Sequence, residues 1–279
     1  MRSYPGSKRV VAVVAGIVLL MSLGLIQPAG AVIEGTDDTA NRFSSVGMLQ
    51  LQVDTDQWAA FCSGTLVRPN VVLTAAHCTD FFTAPVGDPG LGPDDLRVSF
   101  AVAPDEDSTY YGVDHIVVHP DWLTSAPGRG NSKHLFLASP HEDIALVFLQ
   151  ESVAGVTPSP IAGPGYLDAL DVTSETFTVV GYGTDDFITG SALSPRAITI
   201  FDGVRSFRDV TAITTQDAFP DRFLKIPAGV CFGDSGGPLF HNGTIVGLNS
   251  WTFSARCAGP NLEYRTDSAM AQAFLAANL

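Results

Sequence analysis

Beyond residue 31 the apolar residues come in short runs, broken every few positions by Gly, Pro, Asn or Asp. Phe61–Val67, Val71–Ala75, Leu96–Val102, Ile116–His119, Ile144–Leu149, Thr178–Tyr182 and Ile245–Trp251 are such runs. They are short for amphipathic helices, and their spacing predicts strands in sheets that close as barrels or sandwiches. One stretch reads as helix, the Ala- and Leu-rich Ser268–Asn278 at the C-terminus. Glu151–Gly165 (ESVAGVTPSPIAGPG) is rich in Pro, Gly and Ser and reads as a connector between halves of comparable size. No internal repeat is apparent. Roughly 250 residues are enough for one large all-β unit or two packed barrels with a real core.

Residues 1–31 stand apart. Arg2, Lys8 and Arg9 precede an apolar run from Val10 to Ile26, and Ala29-Gly30-Ala31 supplies small residues for cleavage, the pattern of a secretory signal peptide. The run is slightly long for that role, and an uncleaved anchor is the alternative. No later stretch reaches the ~20 apolar residues of a spanning helix. The expectation is a secreted, extracellular protein with no stable membrane partner. Removing Arg2, Lys8 and Arg9 takes the formal charge from −14 to −17, which argues against nucleic acid or anionic membrane as partners. Four cysteines in an exported chain are expected to pair, with three connectivities open. Local pairing, Cys62–Cys78 and Cys231–Cys257, closes two short loops, each worth about 3 kcal/mol. No C-x₂-C spacing supports zinc, so neither a metal nor another cofactor is expected. Asp105-Glu106-Asp107 could belong to a calcium loop but reads better as a solvated acidic turn.

The chemistry gathers at Cys231-Phe232-Gly233-Asp234-Ser235-Gly236-Gly237-Pro238. Glycines on both sides of Ser235 permit a sharp turn that presents its hydroxyl and can aim the amides of Gly233 and Ser235 at one point. A serine hydroxyl needs a base, and the base an orienting group. The stretch also fits G-x-S-x-G, but the α/β-hydrolase arrangement needs an acid and then a histidine after the serine, and only His241 follows. The order histidine, aspartate, serine is available. His77 ends the buried-type strand Val71–Ala75 and adjoins Cys78; Asp143 heads the apolar run Ile144–Leu149.

Thr74-Ala75-Ala76-His77-Cys78, Asp143-Ile144-Ala145-Leu146 and Gly233-Asp234-Ser235-Gly236-Gly237-Pro238, in that order, resemble the trypsin-like (chymotrypsin-fold) serine proteases. Phe61–Leu66, Gly181-Tyr182-Gly183 and Ser250-Trp251 add to the likeness, which runs from about Val32 to the C-terminal helix. The resemblance implies two packed six-stranded antiparallel β-barrels, 32–155 carrying His77 and Asp143 and 156–279 carrying Ser235. It implies a serine endopeptidase in which His77 is general base, Asp143 orients it, and the Gly233 and Ser235 amides form the oxyanion hole. Val32-Ile33-Glu34-Gly35 is similar to the family's mature start, so signal cleavage after Ala31 would free a Val32 amine to pair with Asp234. Glu34 stands where the family has glycine.

The pocket residues implied are Gly229, Val230, Ser250, Trp251, Thr252 and Leu262. Gly229 occupies the place of the tryptic carboxylate, and Thr252 and Leu262 would narrow the pocket toward small or medium uncharged side chains; Val230 adds bulk and Asn249 polarity. The partners implied are polypeptide substrates and protein inhibitors, acting on a monomer. A catalytically silent member serving as a binding or regulatory module is the alternative.

Overall fold

A computed structural model describes residues 32–82, 91–125, 142–184, 203–211, 213–216, 219–254, 257 and 259–279. The proposed signal segment and most of Thr124–Pro140 lie outside the described residues. Fourteen strands are present among them. In the first half these are β1 (Thr36–Asp37), β2 (Val46–Asp54), β3 (Gln57–Arg68), β4 (Val71–Thr74), β5 (Leu96–Ser99), β6 (Tyr111–Val118) and β7 (Ala145–Leu149). In the second they are β8 (Phe177–Gly181), β9 (Ser206–Val210), β10 (Thr214–Thr215), β11 (Phe223–Ile226), β12 (Pro238–His241), β13 (Thr244–Thr252) and β14 (Asn261–Arg265). No helix among the described residues is long and apolar enough to cross a membrane.

Strands β2-β3-β4-β7-β6-β5 close into an antiparallel barrel. Alternation turns Leu49, Leu66, Val72, Val98, Val113 and Val147 into one buried cluster inside it. The remaining strands form an eight-stranded sheet in the order β1-β9-β8-β12-β13-β14-β11-β10. The expected second six-stranded barrel is thus a curled sheet that does not close among the described residues. Its two outer strands, β1 and β10, are two residues long and can carry little pairing. Phe177, Val179, Leu224, Ile226, Leu239 and Val246 fill its hollow.

A third cluster lies between the two units. Val46, Met48, Leu73 and Leu146 from the barrel meet Val180, Phe240, Leu248 and Leu262 from the sheet, with Phe274 and Leu275 of the C-terminal helix. That helix runs Ala269–Asn278, and the Ser268 hydroxyl caps it by accepting from the Ala271 amide at 3.2 Å. Arg205, fully buried, ties the units across the same seam. Its Nε donates to Asp38 at 2.9 Å and its Nη1 to the carbonyls of Val46 and Phe100, at 3.0 and 3.1 Å. The Glu151–Gly165 connector crosses this seam without regular structure, bonding back through Val153 to Pro69, Ser159 to Leu66 and Ala162 to Ile245.

Candidate active site

His77 owes its position to strand geometry and to size. Behind β4, Ala75 and Ala76 are wholly buried, and their small side chains let the chain tighten into a single 3₁₀ turn, Ala76–Cys78. The Cys62–Cys78 disulfide ties that turn to β3. His77 projects from it with about a quarter of its side chain exposed (27%). Asp143, fully buried, meets it twice: Oδ1 accepts the His77 amide at 2.9 Å and Oδ2 faces Nδ1 at 2.8 Å. The Ser250 hydroxyl donates to the same Oδ2 at 2.6 Å. With Nδ1 the donor to a carboxylate, Nε2 is left as the acceptor, the tautomer a general base requires.

Burial pulls the His77 pKa down, but the charge of Asp143 and the hydrogen bond to it more than offset this, so the imidazole titrates above its ordinary value. Burial acts oppositely on Asp143. There the His77 charge and the bonds from His77 and Ser250 prevail and hold the carboxylate below its usual range. Beside this pair, Glu142 is buried, with an ion pair to Arg222 at 2.7 Å and a bond from the Tyr264 hydroxyl at 2.5 Å. Burial and then the charge of Glu142 keep Tyr264 protonated far above its ordinary range, so it serves Glu142 as a permanent donor.

The Ser235 turn is wedged against the His77 turn. The Ser63 amide donates to the Ser235 carbonyl at 2.8 Å, and the sulfur of Cys78 lies 3.5 Å from that oxygen. Gly236, at φ +77°, sits so close to the end of β4 that a Cβ there would stand 2.0 Å from Thr74 Oγ1 and 2.9 Å from the Ala75 nitrogen. Gly233 is also left-handed, at φ +96°. The amides of Gly233 and Ser235 have no acceptor among the described residues, whereas Asp234, Gly236 and Gly237 donate to Cys231, Asn249 and Asp234. Two unspent donors, one on each side of the Asp234 amide, suit an oxyanion. The Ser235 hydroxyl makes no hydrogen bond among the described residues, His77 included; such contacts often tighten only around substrate.

The Asp234 carboxylate turns inward, accepting the Gly183 amide at 2.9 Å and the Cys231 amide at 2.8 Å. Cys231 is also bonded to Cys257, so both local disulfides of the sequence reading are present. Val32 and Ile33 are buried; the Ile33 amide donates to the Gly229 carbonyl at 3.1 Å and the Val32 nitrogen to Ser206 Oγ at 3.4 Å. The segment expected to activate the site is therefore seated in the second unit, near the Gly229–Asp234 loop. Glu34 takes φ +55° and pairs with Arg208 at 3.2 Å, which accommodates it where the family has glycine.

Val230 is buried beside this loop, Ser250 serves Asp143, and Trp251 and Thr252 are partly exposed at the end of β13. Leu262 is placed differently from the reading above: it packs in the seam with Leu248, Phe223 and Tyr264. Its neighbours on β14, Asn261 and Glu263, take the opposite face, and Asn261 Nδ2 reaches the Val230 carbonyl at 3.1 Å. Sequence reasoning missed both. Their signal was the alternation in Asn261-Leu262-Glu263-Tyr264, where the polar positions face in. The acidic turn at Asp105 closes on itself, with Oδ1 accepting from the Asp107 amide and the Ser108 hydroxyl.

The family model described as Trypsin matches residues 32–275. Brachyurin of Leptuca pugilator is 32% identical over 208 residues, covering 71% of this chain and 78% of that protein. A trypsin of Saccharopolyspora erythraea is 28% identical, covering 72% and 78%. The solved structure of human heparin binding protein superposes with a TM-score of 0.61 at 19% identity, over 88% of this chain and 95% of the other, a likeness of fold. The chain belongs to the trypsin family of serine proteases.

Proposed function

We propose that this chain is a secreted serine endopeptidase. His77 Nε2 takes the proton of Ser235 as the hydroxyl attacks a peptide carbonyl, and Asp143 steadies the imidazolium. The Gly233 and Ser235 amides hold the oxyanion, His77 passes the proton to the leaving amine, and water repeats the cycle on the acyl-enzyme. The observation that carries this reading is Asp143, a buried carboxylate whose two oxygens are both spent on His77 while the Ser235 turn is braced against the same segment. Family membership and the brachyurin and trypsin relatives support it. Cleavage after Ala31 on export would free the Val32 amine beside the loop of Asp234, which makes secretion and activation one event. An N-terminus well upstream of Val32 in the secreted protein would contradict that.

The test of the reaction is stoichiometric labelling of Ser235 by a fluorophosphonate, together with peptide hydrolysis that falls at least ~10³-fold in Ser235→Ala. An unlabelled, inactive, folded protein would instead favour the silent binding module.

A further inference from the structure

β13 and β14 pair with Asn249 directly opposite Glu263, and Asn261 lies two residues from Glu263 on the same face. All three side chains are buried, at 1%, 0% and 0% exposure. Both carboxamides are fixed by their nitrogens. Asn249 Nδ2 donates to the Asp234 carbonyl at 3.0 Å and lies 3.4 Å from that of Val180, and Asn261 Nδ2 donates to Val230. Their oxygens therefore point away from the loop that bears Ser235, and among the described residues neither has a donor; nor has either oxygen of Glu263. Four buried polar oxygens on one face, directly behind the loop 230–235, have no hydrogen-bond partner among the described residues.

Buried acceptors left without donors are rare in native proteins because each forfeits its hydration without return. An apolar side chain entering here would leave all four unmet, and an anion would be repelled. An ammonium or guanidinium supplies three or five donors and no acceptor. We propose that Glu263, with the carboxamide oxygens of Asn249 and Asn261, receives the side chain on the acyl side of the cleaved bond, and that this side chain is Lys or Arg. The proposal rests on the endopeptidase reading. It replaces the expectation of small uncharged residues, which took the absence of a carboxylate at Gly229 as decisive and placed Leu262 in the pocket wall. The carboxylate arrives instead from the facing strand.

A proton count should accompany binding. Burial, and then the charge of Asp234, push the Glu263 carboxyl up to about 8. Asp234 is the charged group that faces it from the Ser235 loop; β13 presents Gly247 and Asn249, and β11 presents Leu224. A freed Val32 ammonium beside Asp234 would weaken that push without reversing it. A cation that binds at neutral pH must then displace a proton.

The experiment uses the full secreted protein, first titrated with a fluorophosphonate, then assayed on peptide substrates that differ only in the acyl-side residue. Arg or Lys should exceed the best neutral residue in kcat/KM by at least ~10²-fold, and Glu263→Gln should cut that ratio by a similar factor. A titrated enzyme that prefers neutral residues overturns the proposal and leaves the protease reading intact. The second arm is independent of turnover: calorimetry of benzamidine, a small aryl amidinium, with the Ser235→Ala protein. Binding with proton release near pH 7, lost in Glu263→Gln, supports the site; binding that Glu263→Gln leaves unchanged, or no binding, overturns it. Failure to label with the fluorophosphonate sinks the protease reading alone, and the calorimetry still decides the site. Should the Gln variant not fold, Glu263→Asp withdraws the carboxylate by one methylene and should weaken benzamidine at least ~10-fold; unchanged affinity overturns the proposal.

Discussion

Inside the first barrel Leu49, Leu66, Val72, Val98, Val113 and Val147 meet one another. Inside the second unit Phe177, Val179, Leu224 and Leu239 do the same, but the end behind Ser235 encloses Asn249, Asn261 and Glu263. The first interior is committed to cohesion, and it anchors the turn of His77 through β4 and the Cys62–Cys78 bridge. On the proposed reading, the second gives up cohesion where it receives the substrate side chain. A buried carboxyl with no partner is a stability cost that a purely structural core would not retain.

That contrast can be broken in four ways. Arg205 joins the two units, and removing it strands Asp38 in the interior, so Arg205→Ala should cost about 3–5 kcal/mol in urea unfolding. A second, earlier transition would show that the units unfold separately. Leu66→Ala, wholly inside the first barrel, should cost about 2–5 kcal/mol, nearly the same from pH 5 to 8, because nothing titratable is disturbed.

Glu263→Gln should do the reverse. The folded-state pKa lies above the unfolded value, so folding takes up a proton between them, and wild-type stability falls as pH rises from about 4.5 to about 8. The Gln variant escapes that loss. It should match wild type near pH 4 and exceed it by a few kcal/mol at pH 8. Equal stabilities at both pH values would place Glu263 in a solvated or paired setting and end the contrast. The smallest effect is expected at Ser250→Ala, which removes one of the donors to Asp143 and should lower kcat/KM about tenfold in steady-state assays. For the enzyme itself, kcat/KM should fall as pH drops through a value above 6.5, the ordinary histidine value, because His77 must be neutral to act and Asp143 favours its protonated form.

How much of this could be read from the chain varies with the element. Strands whose inward faces are apolar, such as Val71–Thr74 and Ala145–Leu149, announced themselves, as did the C-terminal helix. The motifs around His77, Asp143 and Ser235 were legible because each combines a reactive residue with small or apolar neighbours that fix its backbone. β14 was not. Its inward positions are Asn261 and Glu263, which imitate a loop, and its outward Leu262 and Tyr264 are the ones in the apolar seam. Hydrophobic patterning fails where the protein buries polarity on purpose, and only the register with β13 shows which way Glu263 faces. That the second sheet stays open among the described residues was also beyond the sequence, since its outer strands are two residues long, with no periodicity to detect.

Ser63 belongs to the first barrel, yet its hydroxyl accepts from the Tyr182 amide at 3.0 Å and donates to the Gly233 carbonyl at 2.9 Å. One small side chain therefore sets the orientation of a peptide plane in the other half of the molecule. Any sliding of one half past the other would tilt that plane, which lies between the Gly233 and Ser235 amides proposed for the oxyanion. On the proposed mechanism the alignment of the two halves is thus part of the catalytic geometry, and the Ser63 hydroxyl ties it beside the Ser63 amide and Arg205.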